Sequence, residues 1–148
     1  MASLNELRNN FKRLQGKEID LAALAINEAG EMAADLNATQ LAEGIKADGS
    51  KADFTYAPVT IAQKRQRSGL ASVTSHLTNF DSGESYSRLY EKVEGKKVIF
   101  GTKTDKEEAI SDRMDGKAFG LTNDSKGSLM KENVKPAFLK KIKEFVKL

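Results

Sequence analysis

Acid–base or nucleophilic chemistry in this chain would have to be organised around its single histidine, His76. Ser82 and Ser85 lie close to it in sequence, so a Ser–His pair can be drawn. Gly83-Glu84-Ser85-Tyr86-Ser87 approaches the Gly-x-Ser-x-Gly elbow that exposes a nucleophilic serine, but Ser87 stands where the second glycine must be. That elbow also belongs on a strand-to-helix turn of a parallel sheet, and no alternating strand–helix pattern is present. His76 is therefore expected to be an ordinary loop histidine. Metal chemistry is equally constrained. There is no Cys, and carboxylates alone must supply any ligand set. Asp48-x-Ser50 opens like a calcium loop, yet Ala52 fills the fifth position, Thr55 the eighth, and Val59 rather than Glu the twelfth. Neither glycine-rich phosphate cradle occurs, and Glu107-Glu108 reads as a solvating pair on a charged helix face. The expectation is a non-enzyme without cofactor or metal.

The basic residues offer a different chemistry. Lys64, Arg65 and Arg67 form a short cluster, and the formal net charge is +3. The excess is uneven: residues 131–148 hold six Lys against two Glu, leaving residues 1–130 at −1. A nucleic-acid binder would more often carry a broad basic face with Arg-rich or aromatic readers. Lysines at the end of a last helix also suit its macrodipole, so a solvated face is the simpler account. The absence of Cys fits a reducing cytosol. Met1-Ala2-Ser3-Leu4-Asn5-Glu6 lacks the charged and apolar regions of a signal peptide, and no apolar run reaches the roughly 20 residues of a membrane span.

The elements that must position these groups suggest one α+β domain over residues 1–148, with 39% hydrophobic and 30% charged residues. Leu4, Leu7, Phe11 and Leu14 recur at helical spacing behind Ser3, a cap, and Gly16 ends that helix. A longer helix from Lys17 to Glu43 follows, with Gly30 as its weak point and Gly44 as its stop. The two suggest an N-terminal helical hairpin over residues 1–45. Residues 46–85 are loop-rich, with turns at 44–53, a short helix at 61–67 behind Pro58, and an irregular, exposed stretch at 68–85. Tyr86 to Val93 and Lys97 to Thr102, joined at Glu94-Gly95, predict an antiparallel β-hairpin. Residues 105–114 read as a helix. Thr122 or Asn123 caps another that reaches Asn133, and Pro136 starts the last, whose Phe138, Ile142 and Phe145 share a face. The C-terminal helices are expected to pack on the small sheet.

Four segments carry a resemblance that composition does not. They are Tyr56-Ala57-Pro58 with Lys64 downstream, residues 77–86 (Leu-Thr-Asn-Phe-Asp-Ser-Gly-Glu-Ser-Tyr), Val98-Ile99-Phe100-Gly101-Thr102, and Phe119-Gly120-Leu121-Thr122. In this order, over residues 50–147, they resemble small virion proteins of tailed bacteriophages in the tail-completion or neck class, the head–tail connectors. Gly83 is the residue that permits the turn into the hairpin. Phe119 and Leu121, flanking Gly120, are expected to hold the final helices against the sheet.

The resemblance implies virus assembly. Such proteins sit in the virion between portal and tail as copies in an oligomeric ring, assembled in the host cytoplasm. The implied partners are copies of the chain itself, the neighbouring portal, connector and tail proteins, and DNA passing through the lumen; no membrane is implied. A ring needs heterologous contacts, one surface of each subunit against a different surface of the next. An unpaired hairpin edge can extend a sheet between subunits. Tyr86, Leu89, Val98 and Phe100 are the interface candidates there, with Lys64, Arg65 and Arg67 as basic candidates. The loop at 44–55 and the segment at 65–82 are candidates for reaching adjacent rings. The alternative is a small basic nucleic-acid-associated protein using Lys64, Arg65, Arg67 and the C-terminal lysines.

Overall fold

In the computed structural model, which describes residues 3–147, helices at both ends of the chain enclose a two-stranded antiparallel sheet, an α+β fold. The first helix, α1 (Leu4–Leu14), starts with a complete capping box. Glu6 N–H donates to Ser3 Oγ (3.2 Å), and Ser3 N–H donates to the Glu6 carboxylate (2.7 Å). The helix lies on the last one, α8 (Lys135–Val146), through Asn10 Nδ2 donating to Val146 O and Arg13 over the Phe145 ring. Its closest association is thus with α8 and not with the helix that follows it, so the two do not form a simple hairpin.

The single helix expected from Lys17 to Glu43 is divided into α2 (Glu18–Glu28) and α3 (Gly30–Ala42), with Ala29 at φ −87° and ψ 4°. The first strand passes close to this point: a Cβ on Gly30 would stand 2.4 Å from Glu91 Oε1, so a larger residue there would have to displace that side chain. At its other end α3 closes in a full Schellman motif, with Ile45 N–H to Gln40 O (2.8 Å) and Gly44 N–H to Leu41 O (3.1 Å).

The loop expected at 44–53 is a compact turn. Ile45 and Lys51 form a β-bridge, and Lys46 N–H donates to Ser50 O. It is clasped to residues 115–117 by the pairs Lys46–Asp115 (2.7 Å) and Lys117–Asp48 (2.9 Å). Pro58 opens α4 (Pro58–Lys64), as its fixed φ favours. The following stretch is irregular, as expected, but its centre is not exposed: Leu77 and Thr78 are buried.

A single helical turn, α5 (Glu84–Ser87), takes up residues that pattern alone assigns to a strand. The hairpin proper is β1 (Leu89–Glu94) and β2 (Lys97–Thr102), in register from Leu89 opposite Thr102 to Glu94 opposite Lys97. Gly95-Lys96 makes the two-residue turn. Then come α6 (Glu107–Arg113) and α7 (Asn123–Leu129), the latter capped by Thr122 Oγ1 accepting from Ser125 N–H. A π-helical turn (Met130–Val134) joins α7 to α8 without a break. Pro136 has no N–H to give the preceding turn, and the wider turn accommodates that loss.

The core has two centres. Ala25, Ala29 and Ala33 allow Leu121, Leu129 and Val134 to approach closely, with Phe100 and Phe138 at the margin. Leu41, Leu77, Ile110, Met114 and Ala118 form the second, with Tyr86, Leu89 and Phe119 against it. The hairpin lies chiefly on α3 and α2, and the last helix lies on α1 and α2, while Phe100 meets the centre that holds Leu129 and Val134 and Leu89 meets the one that holds Ile110 and Met114. Leu121 and Phe119 fall in different centres, so the 118–122 segment links the two instead of pressing the helices onto the strands.

Candidate interaction surfaces

Several residues of the four singled-out segments build the core, among them Leu77, Thr78 and Leu121, with Tyr56, Tyr86, Phe100 and Phe119 packed against it. Thr78 is fully buried, and both of its backbone groups are met by tyrosine hydroxyls. Its N–H donates to Tyr56 Oη at 3.1 Å, and its carbonyl accepts from Tyr86 Oη. Phe80 meets the Tyr86 ring edge-on at 5.1 Å. Gly83, at φ +85°, turns the chain so that α5 can aim Tyr86 inward, and a Cβ there would come within 3.1 Å of the Phe80 ring. Burial, and the neighbouring Tyr56, push the Tyr86 hydroxyl far above the ordinary tyrosine range.

These contacts correct the expectation that Tyr86, Leu89 and Phe100 form an interface. Tyr86 and Leu89 pack on one core centre and Phe100 on the other. Of the four hairpin candidates only Val98 is exposed, at 39%. The outer edges of β1 and β2 pair with no further strand among the described residues.

Lys64, expected as a basic interface candidate, is also corrected: it is 7% exposed. Its stem lies inside, and its ammonium donates to Ala71 O (3.2 Å) and sits 4.7 Å from the Tyr56 ring centroid. Arg67 pairs with Asp81, which also has Lys106 at 3.9 Å. Arg67, then Lys106, hold the Asp81 carboxyl below the usual range. Arg65 alone of the three stands free in solvent, so α4 offers no continuous basic patch. Lys64, Arg67, Lys106 and Arg113 instead line a cleft of about 680 Å³ beneath α4 and α6. Asn79 lies in it at φ +52°, its amide nitrogen buried without a partner.

His76 is engaged structurally. Its Nε2–H donates to Ala42 O at 2.7 Å, closing the C-terminus of α3, and Ser75 Oγ lies 3.0 Å from Nδ1. Ser85 Oγ meets Thr104 Oγ1, and Thr102 Oγ1 donates to Ser85 O. The drawn Ser–His pair is therefore not assembled. No group of three or more His, Asp or Glu side chains among the described residues is placed to hold a metal ion. No helix there is long and apolar enough to cross a membrane.

Two residues that sequence reasoning passed over hold the Phe119-Gly120-Leu121 segment. Asn37 Nδ2 donates to Ala118 O (3.1 Å) and Gly120 O (3.2 Å). Gln40 Nε2 donates to Gly120 O (2.9 Å), and Gln40 Oε1 accepts from Thr122 N–H (3.0 Å). A signal was present: Asn37 and Gln40 share a helix face with Ala33 and Leu41, the side that faces inward.

What stays uncovered lies mainly on the N-terminal helices. No residue of α1 is fully buried, and Leu4 (85%) and Phe11 (48%) are open to solvent. Ile19, Leu24 and Met32 are exposed as well. The chain matches no known family model, and no curated protein or solved structure is significantly similar to it.

Proposed function

We propose that this chain is a structural protein of a tailed-phage virion, a neck, connector or tail-completion subunit that acts by assembling into a ring and not by turnover. One observation carries most of the weight. A helix with a complete capping box and four apolar residues at helical spacing buries none of them fully. α1 rests on α8 with Leu7 and Leu14 half-buried but leaves Leu4 and Phe11 in solvent, and an apolar seam open along one helix suits a covering surface. The unpaired hairpin edges and exposed Val98 add a second adhesive region. The motif order from Tyr56 to Thr122 supports the phage assignment, and the core roles of Tyr86 and Leu121 are compatible with it.

Mass photometry of the purified chain tests the reading. A discrete oligomer of fixed copy number is expected. A strict monomer that binds duplex DNA tightly at physiological salt would replace it with the nucleic-acid alternative. That alternative rests on the exposed lysines of α8, because Lys64 and Arg67 are occupied within the fold.

A further inference from the structure

Charge is divided between the helical elements in a way that tells which surface covers α1. Residues 18–43, forming α2 and α3, hold six carboxylates and no Lys or Arg. Residues 3–17, which contain α1, hold four bases against one acid, and residues 131–147, which span the π-helical turn and α8, hold six against two. The basic elements α1 and α8 pack together, and the acidic α2 lies against α8 with Glu28 paired to Lys141, whereas α3 packs under β1 and leaves its outer acidic residues unpaired among the described residues. Each molecule thus presents a basic region and an acidic one.

The detail of the two surfaces matches. On α1 the side turned to α8 carries Asn10 and Arg13, so the open seam is Leu4 and Phe11, edged by Arg8 and Lys12 one turn apart. On α3 the exposed row is Glu31, Asp35, Thr39 and Glu43, with Met32, 45% exposed, beside it. Glu31 and Asp35 are also one turn apart. Four residues advance a helix by about 6 Å, so both charge pairs have the same spacing along their axes. None of Arg8, Lys12, Glu31 and Asp35 has an ion-pair partner among the described residues.

We infer that the α1 seam of one copy docks on the exposed α3 row of a second copy, setting Leu4 and Phe11 against Met32 and placing Arg8 and Lys12 opposite Asp35 and Glu31. The contact is heterologous, because each copy uses α1 on one side and α3 on the other, and it can therefore propagate into a ring. The inference rests on the assembly reading and specifies its interface. Methionine suits such a site, since its unbranched side chain adapts to the surface that meets it.

Charge reversal of the full-length chain tests it. Arg8→Glu with Lys12→Glu makes one variant, and Glu31→Lys with Asp35→Lys makes the other. All four positions are exposed, and far-UV circular dichroism and thermal melts establish that both variants fold. In sedimentation velocity each variant alone is expected to self-associate at least about tenfold more weakly than the parent, and an equimolar mixture to regain association. Parent association should weaken as salt is raised, because the paired charges lie at a surface. Undiminished association of either variant, or a mixture that fails to recover, overturns the interface while leaving ring assembly standing. A parent chain that stays monomeric at every concentration overturns both.

Discussion

Replacing Tyr86 by Phe separates a core role from an interface role. The change removes one oxygen and keeps the ring that meets Phe80. It leaves the Thr78 carbonyl without its donor inside a residue that is fully buried. A net hydrogen bond contributes about 1 kcal/mol, and an abandoned buried acceptor costs about 1–3 kcal/mol. Thr78 is held from both sides by hydroxyls, so relaxation toward water is restricted, and a loss of about 2 kcal/mol is expected. For a chain of this size that corresponds to a fall in melting temperature of roughly 4–8 °C. Tyr56→Phe strands the Thr78 N–H and should cost a similar amount. The double variant should cost less than the sum, since both changes act on one residue. Urea unfolding followed by circular dichroism measures all three, with oligomeric state recorded in parallel. A Tyr86→Phe protein of parental stability that fails to self-associate would refute the core assignment and restore Tyr86 to an interface.

Gln40→Ala removes both bonds that Gln40 makes to the 120–122 segment and should cost about 2–3 kcal/mol by urea titration; Gln40→Met, which keeps the volume, should be no better. Glu91 is pushed above the ordinary glutamate range by burial beside Gly30, and its Oε2 has no partner. A raised folded-state value means that stability is fullest below the unfolded value and falls as pH rises through the folded one. Glu91→Gln should therefore stabilise the chain at neutral pH and flatten that loss in pH-dependent melts. Asp48, Asp81 and Asp115 shift the opposite way, held down by Ser50 and Lys117, by Arg67, and by Lys46 respectively. Their contribution is present above the unfolded carboxylate value near 3.9 and should vanish as acid takes the pH through the folded values. Raised salt should blunt the part of that acid sensitivity due to Arg67–Asp81 and Lys117–Asp48, because both of those pairs are exposed.

What could be read from the chain was what local chemistry decides. The Ser3 cap, Pro58 at a helix start, the Thr122 cap and the Gly95 turn each depend on a few adjacent residues. The hairpin and the α+β class followed from such signals. Errors arose where a distant element intervened. The helix breaks at Ala29, beside the point where Glu91 of β1 meets Gly30, and Lys64 is buried because the Ala71 carbonyl and the Tyr56 ring receive its ammonium. Tyr86 and Phe100 alternate like strand-edge residues, yet Tyr86 sits on a helical turn aimed at Thr78. The unbroken acidic run from Glu18 to Glu43 is plain in the chain, but its meaning depends on knowing that α1 and α8 lie together.

Ring assembly between head and tail is tested most directly on the assembled particle. Immunogold electron microscopy of purified virions, with antibody raised against this chain, should place label at the neck between portal and tail. Label distributed elsewhere, or particles that lack the chain while it persists as a free monomer, would contradict the account.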